Sequence, residues 1–108
     1  MRTRAQILTD AEICVNGERE QDYGSPEDNF KTIAELWSTY RGVSFTPVDV
    51  AMMMALLKIA RIANGGGTGD SFVDLAGYAA CGGELASIAE EKKAIGYITE
   101  SVPCTAKV

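Results

Sequence analysis

Apolar residues recur at helical spacing in four stretches of the chain, and residues that start or stop helices bound each stretch. Ile7, Leu8, Ala11, Cys14 and Val15 share one side of a helix predicted from about Arg4 to Val15, ending at Asn16-Gly17. A polar link, Glu18 to Gly24, follows. Ser25-Pro26-Glu27-Asp28 carries the marks of a helix start: a capping hydroxyl, a proline whose missing N–H is not needed in the first turn, and acids at the positive end of the helix dipole. Phe30, Ile33, Ala34, Trp37 and Tyr40 then give a second helix one apolar face, up to Arg41-Gly42.

Thr46-Pro47-Val48-Asp49 repeats the start signal, with Asp49 as the capping-box acid. The helix it opens is apolar almost all round, from Val50 through Met52-Met53-Met54 and Leu56-Leu57 to Ile62. Such a helix is expected to be central or to lie at a subunit interface, and the three methionines read as core filler. Asn64-Gly65-Gly66-Gly67 ends it with residues that tolerate positive φ. A fourth helix is predicted from about Asp70 to about Lys93. Gly82-Gly83 falls inside it, and interior glycines disfavour a helix, so the pair marks either close packing or a break. No strand pair or internal repeat is evident. The expected architecture is all-α, with one helical domain over residues 1–93 and a C-terminal tail over 94–108.

At 108 residues the chain supports one domain, whose core is small for its apolar content of 46%. Assembly as a homo-oligomer is therefore expected. A net charge of −5 argues against a nucleic-acid polymer or a membrane surface as partner, since both select basic faces. The three cysteines, Cys14, Cys81 and Cys104, form no CxxC and read as reduced thiols in a cytoplasmic protein. No long apolar run follows Met1-Arg-Thr-Arg4, so neither a signal peptide nor a membrane span is expected. The absence of histidine removes His-based nucleophilic and acid–base catalysis and most transition-metal sites. Carboxylate, Lys, Arg and Tyr chemistry remains, which suits Mg²⁺ or metal-free ligand binding.

Polar groups of both signs converge on the last two helices. Asp70, Asp74 and Tyr78 follow an i, i+4, i+8 spacing along one helix edge, and Lys58 and Arg61 share an edge at i, i+3. Asp70 suits either a helix start or a site. Asp74 is flanked by Phe72, Val73, Leu75 and Ala76, which favours a buried network or a functional role. Lys58 and Arg61 are the only charges from Val50 to Ala63 and fit either a phosphate clamp or a structural pair with Asp74. The link Glu18-Arg19-Glu20-Gln21-Asp22-Tyr23-Gly24 places an aromatic ring just before a helix start, where free amides favour anions. Asn29 and Phe30 in the next turn could add an amide for a base edge and an apolar wall. The run Gly65-Gly66-Gly67-Thr68-Gly69 lacks the P-loop arrangement and reads as a connection.

Taken together, Arg19-Glu-Gln-Asp-Tyr23-Gly24 with Asn29-Phe30, Lys58-Ile-Ala-Arg61, and Asp70-Ser-Phe-Val-Asp74-Leu-Ala-Gly-Tyr78 resemble small phage-associated proteins of the all-α NTP-pyrophosphatase superfamily. That superfamily includes the MazG-like enzymes, and the likeness is nearest to a nucleotide-modification-associated branch. The resemblance spans roughly residues 5 to 90. It implies a four-helix core, usually dimeric or tetrameric, with a nucleotide bound between helices by Arg19, Tyr23, Asn29, Phe30, Lys58, Arg61, Asp70, Asp74 and Tyr78. MazG-like enzymes hold Mg²⁺ with an ExxE pair and an ExxD pair. Here no ExxE occurs, and Asp70 and Asp74, at spacing four, are the remaining metal ligands. The reading that follows is a protein that captures a nucleotide or nucleotide-derived signal, as in phage anti-defence, without efficient hydrolysis. The alternatives are a Mg²⁺-dependent nucleotide pyrophosphohydrolase and a purely structural oligomer.

Overall fold

A computed structural model describes residues 1–17, 25–65 and 69–96. Among them are four helices and no strand: α1 (Arg4–Asn16), α2 (Pro26–Arg41), α3 (Pro47–Ala63) and α4 (Gly69–Gly96). The expectations resting on Arg19, Tyr23 and Cys104 lie outside the described residues.

Local chemistry accounts for the helix ends. Ser25 Oγ accepts the Asp28 N–H at 3.2 Å to start α2. Gly42 stops it at φ +69, a left-handed conformation that favours glycine, and donates its N–H to the Ser38 carbonyl. Thr46 and Asp49 form a reciprocal capping box at the start of α3, with bonds of 3.1 and 2.8 Å. A second box, Thr3 with Gln6, starts α1. The fourth helix runs unbroken through Gly82-Gly83 and continues to Gly96, three residues beyond the predicted end.

Helices α3 and α4 form the central pair, with α2 packed mainly on α3 and α1 on α4. Phe30 and Ala34 of α2, Val50 and Ala51 of α3, and Leu85 of α4 make the buried core. Ser38 fastens the turn between α2 and α3 by accepting the Phe45 N–H at 2.9 Å, and Phe45 sets its ring edge-on to Trp37. Close approach explains Gly82: a Cβ there would lie 2.7 Å from Met52 Cε and 3.3 Å from Ala51 Cβ. Nothing crowds Gly83.

The inward face of α3 is built from small residues, Val50, Ala51 and Ala55, so its larger side chains point elsewhere. This corrects the expectation that all three methionines fill the core. Met54 is half-buried there, whereas Met52 and Met53 are exposed, as are Leu56, Leu57 and Ile59. Leu36 and Tyr40 of α2 and Phe72 of α4 are exposed too. Leu8, predicted on the buried side of α1, is 64% exposed, and Ala11 is the residue that α1 buries. No described helix is long and apolar enough to cross a membrane.

Candidate functional site

The hairpin of α3 and α4 brings the end of one helix beside the start of the other. Lys58 Nζ lies 2.9 Å from Asp74 Oδ2, and the side chains are only 14% and 22% exposed. At that burial, the desolvation of each charge is offset by the other. Of the two pairings open to Asp74, the structure makes the one with Lys58. Arg61, one turn further along α3, is exposed and forms no ion pair among the described residues. One ammonium hydrogen of Lys58 suffices for Asp74, and the other two remain for water or an anion.

Asp70 does not join this pair. It sits in the first turn of α4, its side chain 84% exposed, with Arg2 Nη1 3.5 Å away. Arg2 also reaches Asp10 at 2.9 Å through its other nitrogen and covers Gly69, where a Cβ would meet Nη1 at 2.7 Å. The arm before α1 is thus clasped onto the start of α4. Both acids proposed as metal ligands already face a cation, and no group of three or more acids or cysteines among the described residues could hold a metal ion.

Tyr78, one turn after Asp74, is half-buried and packs its ring on Phe30, with centroids 6.2 Å apart and a tilt of 31°. Phe30 is 7% exposed and belongs to the core, so it backs Tyr78 and presents no open face of its own. Asn29 is half-buried beside it, with no side-chain hydrogen bond among the described residues. The structure therefore gathers Lys58, Asp74, Tyr78 and Phe30 along the packed helices, leaves Arg61 at the rim, and separates Asp70.

Sequence reasoning missed Arg2. Its partner Asp70 is 68 residues away, and no periodicity links the two. The Thr3/Gln6 box was available as Thr3-Arg-Ala-Gln6.

These features define a small all-helical protein with a half-buried ion pair between its central helices. The chain belongs to a family described as a domain of unknown function (DUF6378), whose pattern matches residues 6–86. It is similar to the Gene 55 protein of Mycobacterium phage L5, at 58% identity over 74 residues, covering 68% of this chain and 47% of that protein. It is also similar to the Gene 55 protein of Mycobacterium phage D29, at 48% over 75 residues, covering 69% and 50%. The chain thus spans about half the length of the curated relatives it matches. No solved structure matches it.

Proposed function

We propose that this chain captures a nucleotide or nucleotide-derived signal without efficient hydrolysis, on a MazG-like helical core assembled as a homo-oligomer. The observation that carries the reading is the half-buried Lys58–Asp74 pair with Arg61 at its edge. Asp74 holds the ammonium in place, and the remaining donors of Lys58 and the planar fork of Arg61 suit phosphate oxygens. Capture without cutting is favoured because Asp74 and Asp70 are each matched to a protein cation. A two-metal hydrolytic centre needs carboxylates free to hold the ions. Relatives in two mycobacteriophages accord with a phage setting.

The oligomer rests on a different observation. Met53, Leu56, Leu57 and Ile59 leave α3 with an apolar outer face that a second copy would cover.

Incubation with a panel of nucleotides, with and without Mg²⁺, followed by heat release and chromatography, tests the proposal. Intact nucleotide recovered from the protein is expected. Pyrophosphate and a shortened nucleotide appearing only with Mg²⁺ would assign the pyrophosphohydrolase. Retention of nothing would leave the polar groups as structural ion pairs.

A further inference from the structure

On the other side of α4, a groove of about 430 Å³ runs between α1 and α4. Ala11 of α1 and Ala76 and Ala80 of α4 line it, and their short side chains let another backbone come close. Leu8 forms an exposed apolar lip. Glu12 rises from α1 and Glu84 from α4, both exposed, and neither takes part in an ion pair among the described residues. Among the described residues, no lysine or arginine lines the groove. Its floor is made of small apolar side chains, Asn16 adds a polar group from the last turn of α1, and a carboxylate stands on each flank.

We propose that this groove docks a basic amphipathic helix of a partner protein. Two helices leave between them a channel that a third helix fills at ordinary packing distance, with its small or aliphatic residues inward. Lysines or arginines on both edges of that stripe would meet Glu12 on one side and Glu84 on the other. An acidic helix would meet like charge on both flanks. The groove uses no residue of α3 and stands apart from Lys58 and Asp74, so the inference does not depend on nucleotide capture.

The probe is a fluorescein-labelled amphipathic peptide of Ala, Leu and Lys, with lysines along both edges of its apolar stripe, followed by anisotropy. Binding that weakens with added NaCl is expected. Glu12→Gln with Glu84→Gln should weaken it by about tenfold, the loss of two solvent-screened charge contacts. Ala80→Trp, which fills the floor at an exposed position, should abolish it. Glu90→Gln with Glu91→Gln removes the same charge elsewhere on α4 and should leave it unchanged. Thermal melts establish that each variant is folded. No binding by the wild-type protein overturns the proposal, as does an equal loss in the two charge-matched pairs. Peptide binding that emerges only when the protein is diluted to a monomer assigns the groove to a second copy and also overturns it.

Discussion

Removing either half of the Lys58–Asp74 pair strands the other, but the two halves are not equivalent. Lysine carries its charge on a long flexible stem that can swing to water, whereas an aspartate is held close to its helix. Lys58→Met is therefore expected to destabilise the fold by about 2–4 kcal/mol and Asp74→Asn by about 1–2 kcal/mol. Urea denaturation of both variants tests this, and equal losses would contradict it. Arg61 is exposed and unpaired among the described residues, so Arg61→Ala should change stability by less than about 0.5 kcal/mol. If it binds phosphate, the same change weakens nucleotide affinity by about 1–3 kcal/mol, measured by titration calorimetry. Asp74→Asn separates the roles of the carboxylate. A group that positions Lys58 gives Mg²⁺-independent binding that weakens in the variant. A metal ligand gives Mg²⁺-dependent binding or turnover that the variant loses.

At the scale of helices, the adjacent glycines of α4 make opposite predictions. Gly83 meets nothing, so Gly83→Ala should stabilise by about 0.5–1 kcal/mol through helix propensity alone. Gly82→Leu would force Met52 and the buried Ala51 apart and should destabilise by about 1–3 kcal/mol. Thermal melts of the two variants should shift in opposite directions. The sequence left this pair undecided between packing and a break because the answer lies in residues of α3 some thirty positions earlier. By contrast, the starts of α2 and α3 were legible, since Ser25 with Pro26 and Thr46 with Pro47 and Asp49 act within a single turn. The extent of apolar surface on α3 was legible too. Its inward face was not, because alanines won the tight contact with α4, and Met52, Met53, Leu56 and Leu57 were left outside while Met54 stayed half-buried. The site divides along the same line. The convergence of Lys58 and Asp74 followed from their edges, while the contact of Phe30 with Tyr78 joins residues that are neighbours only in the folded chain.

Across the whole molecule, exposed Leu36, Met53, Leu56, Leu57, Ile59 and Phe72 exceed what an isolated small domain usually shows to water. If a second copy covers α3, Leu56→Glu should yield a monomer by light scattering with its helical circular dichroism retained. Ala55→Glu, one residue away but 8% exposed, should unfold the chain, since it buries a charge with no partner. Loss of structure in both would show that Leu56 supports the fold itself. The position of α1 carries a different consequence, one of order in time. Its 13 residues are too few to hold a stable helix alone, and its main support is α4, made last of the four. During synthesis α2 and α3 can join as neighbours while α1, already exposed, waits for a surface that leaves the ribosome only after both of them. A ribosome stalled before α4 would therefore present α1 undocked, open to a protease that the finished protein resists.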